Sequence, residues 1–374
     1  MFVKIINCEP SLYENDIDRL DAIDSFLEAH GKRNHIVYCP KKTSKDIIDC
    51  GFFGVKQKKY AEDMRIYKNE FGSLKNTLKL KLIVDFKLEN EDIKSQLDND
   101  YIIMTSSYHF LLKSSFKNNC IFLAEDKSDC EFYSLIAKTI CQKYQGRFLE
   151  VKLNFLEGGG SRTHKKYEEI INNKDFSICI IDNDKKHPFG AEGDTSKSFC
   201  SDRGQRGYAI NQECIVLDVH EAECLIPDRI LESASDPSKV DIVDKIKELD
   251  KKSGYQFRVY FDHKNGFRLD QGLNLDKRYK EKFWLSIFEH EKNYKFKPCI
   301  ESKTCVNNTI IECQYCIKIE GLGEKILVQS IEKMKKTHLR TIYENSSPNI
   351  KSNWKEIGTK LINWGCAPNL PAVR

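Results

Sequence analysis

The sequence contains no apolar run approaching the ~20 residues that cross a bilayer. Its opening stretch, Met1-Phe2-Val3-Lys4-Ile5-Ile6, is too short for a signal peptide and carries no cleavage-site pattern. Both absences predict a cytoplasmic chain with no membrane partner. There is no Gly-x-Ser-x-Gly elbow to support a Ser-His-Asp hydrolase. There is no phosphate-cradling loop with its lysine, and no internal repeat or low-complexity linker. The fifteen cysteines lack the tight framework of a secreted disulfide protein, which fits a reducing compartment.

What is present suits a globular protein of two or three domains: 374 residues, 40% hydrophobic and 31% charged. The net charge of +4 hides an asymmetry. Residues 1–115 carry 18 basic and 18 acidic side chains, residues 116–235 carry 16 and 20, and residues 236–374 carry 26 and 18. An acidic middle beside a basic C-terminal part fits metal-assisted chemistry on a polyanion.

The pattern divides the chain at about 115 and 235. Residues 1–115 read as a small α/β domain, with strands at Phe2–Ile6, Ile36–Cys39, Leu80–Phe86 and Tyr101–Thr105 and a polar joint over Leu88–Asp100. Residues 116–235 alternate strand and helix, which argues a mainly parallel four-stranded sheet. The strands expected there are Ile121–Ala124, Phe148–Phe155, Phe176–Ile181 and Cys214–Leu217, with a long polar loop over 185–211. Residues 236–374 are helix-rich, with helical spacing over Val240–Leu249, Lys277–His290, Glu324–Tyr343 and Trp354–Trp364.

Three of the apolar strands run into acid: Glu125 with Asp129 four residues on, Asp182-Asn183-Asp184, and His220-Glu221-Ala222-Glu223. In a parallel sheet such strand ends share one edge, where ligands of open α/β sheets bind. Hard carboxylate oxygens select Mg²⁺ or Mn²⁺. Such an ion, or two roughly 4 Å apart, promotes phosphodiester cleavage. For any one acid, capping a helix or solvating a loop is as good an explanation; Asp129 sits where a helix start favours negative charge. Arg162, Lys165 and Lys166 beside the Gly158-Gly159-Gly160 turn, and Lys185, Lys186 and His187 after the acidic pair, are candidates to meet phosphate.

This order of motifs resembles a Toprim domain, the Rossmann-like metal-binding fold of topoisomerases, bacterial primases and overcoming-lysogenization-defect nucleases. Glu125 and Asp129 match its first element, Gly158–Gly160 its second, and Asp182 and Asp184 its third. Glu221 and Glu223 resemble the Glu-x-Glu-Asn element of the nuclease-type relatives, with Cys224 where Asn is usual. The resemblance covers about residues 116–232. It implies Mg²⁺ or Mn²⁺ held by Glu125, Asp182 and Asp184, with Asp129, Glu221 and Glu223 completing a catalytic site. It also implies a nuclease effector of an anti-phage system, cutting DNA or RNA/tRNA together with a separate ATPase subunit, with a homo-oligomer as a possible assembly. The alternatives are a Toprim-fold docking or regulatory subunit without turnover and, third, a primase-like nucleotidyl transferase.

Cys299, Cys305, Cys313 and Cys316 place four thiols within eighteen residues. The Cys-x2-Cys half matches a zinc knuckle and the x5 half is looser, so the expectation is one structural Zn²⁺ stapling an insertion at 299–316. Reduced, partly buried thiols are the alternative.

Overall fold

The computed structural model describes residues 1–90, 93–98, 101–144, 148–205, 211–289, 298–306, 313 and 315–369. It is a mixed α/β protein with parallel sheets, and no described helix is long and apolar enough to cross a membrane. Packing separates two units. One comprises Met1–Ile180, Asp202–Ile215 and Trp354–Arg374; the other comprises Ile181–Ser201 and Val216–Asn353. The sequence boundary near 115 falls between two sheets of the first unit, and the one near 235 falls between two helices of the second.

The N-terminal sheet contains β1 (Phe2–Ile6), β2 (Ile36–Tyr38), β3 (Leu80–Asp85), β4 (Lys94–Asp98) and β5 (Tyr101–Ser107), in the order β2-β1-β3-β5-β4. The first three and β5 run parallel. In β3, Leu80, Leu82 and Val84 are buried while Lys81, Ile83 and Asp85 are half-buried, the period of a strand packed mainly on one face. The helix Ile17–Gly31 buries Ile23, Phe26 and Leu27, and Asp16 caps it by accepting from the Arg19 amide at 3.1 Å. The stretch expected as a plain polar joint contains β4, which runs antiparallel to β5. Every residue of β4 is exposed, so no apolar alternation marked it; a polar edge strand also guards β5 against foreign pairing.

The second sheet contains β6 (Ile121–Ala124), β8 (Asn154–Glu157), β9 (Ser177–Ile181) and β10 (Gln212–Val216), in the order β10-β9-β6-β8. The strands β8 and β9 flank β6 and both run parallel to it, which places their carboxyl ends on one edge. The Ser177 amide donates to Asn211 O at 3.2 Å and the Leu217 amide to Ile181 O at 2.9 Å, so the register of β10 advances in the same direction as that of β9. The helix Lys127–Tyr144 buries Phe132, Tyr133, Ile136, Ala137 and Ile140, the three-to-four spacing of an apolar stripe. Phe148–Phe155 is two strands rather than one. Leu149–Val151 (β7) leaves the sheet to pair antiparallel with Cys366–Pro368 (β13), and the chain then enters β8.

The second unit is mainly helical, with one two-stranded ribbon of Gly266–Arg268 (β11) and Lys318–Glu320 (β12). Its aromatic core joins Phe257, Phe267, Trp284 and Phe288, with the Phe267 and Trp284 rings 4.3 Å apart. The helix expected over Lys277–His290 is interrupted: Leu269–Tyr279 ends at Lys280 in a left-handed turn (φ 56°), and Phe283–Glu289 starts anew. Asp276 drives the restart, accepting from the amides of Trp284 and Leu285 at 3.0 and 2.8 Å. His290 lies outside the described residues. Glu324–Tyr343 likewise is two helices, Ile326–Lys335 and Leu339–Glu344. The polar stretch 185–211 is not all loop: Asp194–Gln205 is helical, and residues 206–210 lie outside the described residues.

Candidate metal centres

The acidic turn after β6 is built against the glycine turn after β8. The carbonyls of Ala124 and Glu125 accept from the amides of Gly158 and Gly159 at 2.8 and 2.9 Å. Gly159 (φ 81°) and Gly160 (φ 61°) take left-handed backbone, and a side chain at Gly158 would meet Thr163 Oγ1 at 2.1 Å, so this turn requires glycine. Asp129 accepts from the Asp126 amide at 2.9 Å, three residues into the helix. That is the acid's half of a capping box, so helix capping accounts for Asp129 as fully as chemistry does.

The remaining predicted acids lie in the second unit. Asn183, not an aspartate, pins the turn after β9. Its side chain donates to Leu217 O at 2.8 Å and accepts from the Lys185 amide at 2.8 Å, and its carbonyl accepts from the Gly193 amide at 2.9 Å. Asp184 adopts a left-handed φ of 54° and donates its amide to His220 O at 3.0 Å. That bond ties the Asp-x-Asp turn to the acidic segment after β10. A Cβ at Gly193 would lie 2.1 Å from Asp184 Oδ2, so Gly193 lets this carboxylate sit where it does.

Glu221 and Glu223 are both buried. Glu221 accepts from the His263 amide at 2.6 Å. Lys264 Nζ bridges the pair, 3.5 Å from Glu221 Oε2 and 3.2 Å from Glu223 Oε1. Asp262 Oδ2 lies 3.2 Å from Lys186 Nζ and 4.0 Å from His220 Nε2, and Asp262 Oδ1 accepts from the Asn265 amide at 2.8 Å. Burial, and then the charge of Glu221, push Glu223 up to about 7 against the pull of Lys264. Burial likewise raises Glu221. Burial works against the Lys264 charge, yet Glu223, Glu221 and Asp182 together hold its pKa above the ordinary lysine value. A buried carboxylate pair needs such a counter-charge.

The sequence reading missed Asp262, His263, Lys264 and Asn265. The signal available was an unbroken polar run between Phe261 and Gly266 inside a segment rich in aromatics. Of the basic candidates, Lys186 meets Asp262, Lys185 Nζ lies 3.5 Å from Glu192, and Lys166 donates to Glu157 O. His187 packs inside the second unit. It is fully buried, its Nε2 lies 3.3 Å from Asp276 Oδ1, and its ring stacks on Tyr279 at 5.0 Å.

The four cysteines converge as expected. Cys299 and Cys313 Sγ are 3.6 Å apart, Cys316 and Cys299 3.6 Å, and Cys316 and Cys305 3.8 Å. Thiolates at ~2.3 Å around a tetrahedral ion sit about 3.8 Å apart, so these sulfurs fit a metal ion such as zinc. The Val306 amide approaches Cys299 Sγ at 3.5 Å. Against desolvation, hydrogen bonds from the Tyr315 amide and the neighbouring thiols hold Cys313 down to about 7, while desolvation and the same thiol contacts raise Cys316, and desolvation raises Cys299.

No family model matches this chain, and no curated protein or solved structure matches it.

Proposed function

We propose that this chain is a Mg²⁺- or Mn²⁺-dependent nuclease of the Toprim type that cleaves phosphodiester bonds in DNA or RNA/tRNA. In this reading it is the effector of an anti-phage system and works with a separate ATPase subunit. The observation that carries the proposal is the pairing of buried Glu221 and Glu223 on Lys264, whose pKa Asp182 also helps to raise, with the Asp184 amide bonded to His220 O. Two buried carboxylates this close, Glu221 and Glu223, are costly to the fold, and clusters of perturbed carboxylates mark functional sites.

Glu125, Asp182 and Asp184 would hold the ion. Glu125 joins by the resemblance alone. The ion would supply charge neutralisation at the phosphate and a lowered pKa for an attacking water. The chain's own residues do the rest. Asn183 fixes the turn that presents both aspartates, and Gly193 leaves room for the Asp184 carboxylate. Glu223, near neutrality in its pKa, can take up a proton at the site. Lys264 offers an ammonium for developing negative charge on the substrate. The four-cysteine set would hold one structural Zn²⁺, which carries no part of the chemistry.

One observation favours a second reading. Lys264 already neutralises Glu221 and Glu223, as an internal counter-ion does in a subunit that docks without turnover. Incubating the purified chain, alone and with its candidate ATPase, with labelled DNA, total RNA and tRNA in Mg²⁺ and Mn²⁺ separates the two. The nuclease reading expects metal-dependent cleavage of at least one substrate, and the docking reading expects none.

A further inference from the structure

We propose that His220, Glu221 and Asp262 form a metal site of their own, selective for a first-row transition ion such as Mn²⁺ over Mg²⁺. His220 and Glu221 come from the segment after β10, and Asp262 from the turn before β11. One donor atom from each lies within 4.8 Å of the others. The side chains are 5%, 6% and 10% exposed, so water contributes little to satisfying them. His220 turns Nε2 towards Asp262 Oδ2, and its other ring nitrogen, Nδ1, is buried without a hydrogen-bond partner. A buried imidazole nitrogen left unmatched costs free energy and calls for a reason. Coordination through Nδ1 supplies one, with Nε2–H left facing Asp262 Oδ2.

The donor set decides the class of ion. Two carboxylates suit Mg²⁺ and Mn²⁺ alike, whereas an imidazole nitrogen shifts preference to the transition series. Three protein ligands on one side of an ion leave positions open for water or a phosphate oxygen. Lys186 on Asp262 and Lys264 on Glu221 compete for the same oxygens and must yield; their side chains are 57% and 31% exposed, which gives them somewhere to go. The site makes no use of Glu125, Asp182 or Asp184 and stands even if the chain cuts nothing.

The test uses the full chain with its four-cysteine cluster loaded with one equivalent of Zn²⁺, titrated with Mn²⁺ in tenfold excess Mg²⁺. Bound Mn²⁺ is read by electron paramagnetic resonance and its ligands by ¹⁴N modulation. The expected result is one Mn²⁺ retained per chain, with a ¹⁴N coupling that disappears in His220→Leu. Asp262→Asn, nearly isosteric, should weaken Mn²⁺ binding by about tenfold or more and serves if His220→Leu fails to fold. Displacement of Mn²⁺ by Mg²⁺, absence of the ¹⁴N coupling, its survival in folded His220→Leu, or full affinity in Asp262→Asn would each overturn the proposal.

Discussion

The chain contains two parallel sheets, and their carboxyl edges differ in what they do with polar residues. In the N-terminal sheet the strand ends satisfy one another. Asn7 donates to Asp85 at 2.8 Å, the Lys87 amide donates to the same oxygen at 2.9 Å, and Ser107 Oγ lies 3.4 Å from His109 Nδ1. Among the described residues, no group of potential metal ligands falls there. After the second sheet, β10 leads into His220, Glu221 and Glu223, all buried, with lysines as the counter-charge. The comparison teaches that a parallel-sheet edge offers a location and no more; what differs here is a pair of buried acids held by a lysine from a distant stretch of chain.

The largest expected effect sharpens this contrast directly. Glu125→Gln keeps size and removes one negative charge, and it should slow cleavage about 10²-fold or more, since ~1.4 kcal/mol is already a factor of ten. Asp85→Asn, the matching change at the N-terminal sheet, should leave the rate unchanged. Single-turnover rates on a labelled substrate decide; equal effects of the two changes would break the distinction between the edges.

Next in size is removal of zinc. Metal analysis should find about one Zn²⁺ per chain, and a chelator should lower the melting temperature by about 10 °C, as loss of several kcal/mol does for a unit of this size. Zinc-free protein with an unchanged melt would remove the ion from the account.

A smaller effect comes from Glu223. Its folded pKa of about 7 stands above the ordinary 4.5 because of burial and then Glu221. The native state therefore holds this proton where the unfolded chain has released it. The stability so gained is fully present below about pH 4.5 and is lost as pH rises through about 7. The melting temperature of Glu223→Gln should climb relative to the parent between pH 5 and 8, by a few degrees. A pH-independent difference would place the carboxylate in a more polar setting than its burial implies.

The smallest effect concerns the basic C-terminal part. Lys333→Glu and Lys336→Glu, on the exposed side of Ile326–Lys335 and at its C-cap, should each weaken nucleic-acid binding severalfold. Each should also reduce the slope of log affinity against log salt by about one. Unchanged slopes would move the substrate surface elsewhere.

Much of this was legible in the sequence, for identifiable reasons. Buried parallel strands read as apolar runs, so Ile121–Ala124 and Ser177–Ile181 were visible, and so were the acids that follow them. The four thiols were visible because their spacing is local. Lys280 was invisible as a helix breaker, because a lysine in left-handed backbone carries no propensity signal; the cause is Asp276 gripping the next helix. Lys264 and Asp262 were invisible as site residues because they reach Glu221 and His220 across some forty positions of sequence, and periodicity reports neighbours within an element only. The burial of His187 against Asp276 and Tyr279, some ninety positions on, left no trace in its local sequence.

The central claim, that Glu125, Asp182 and Asp184 hold an ion for phosphodiester cleavage, is tested most directly by Asp182→Asn. The purified variant and parent are compared for cleavage of labelled nucleic acid across a Mg²⁺ and Mn²⁺ titration, with melting curves to confirm folding. The account predicts a folded variant, of equal or greater stability because repulsion among the acids is relieved, whose cleavage is lost or needs far more metal. A folded Asp182→Asn protein that cuts at the parent rate and at the same metal concentration would contradict it.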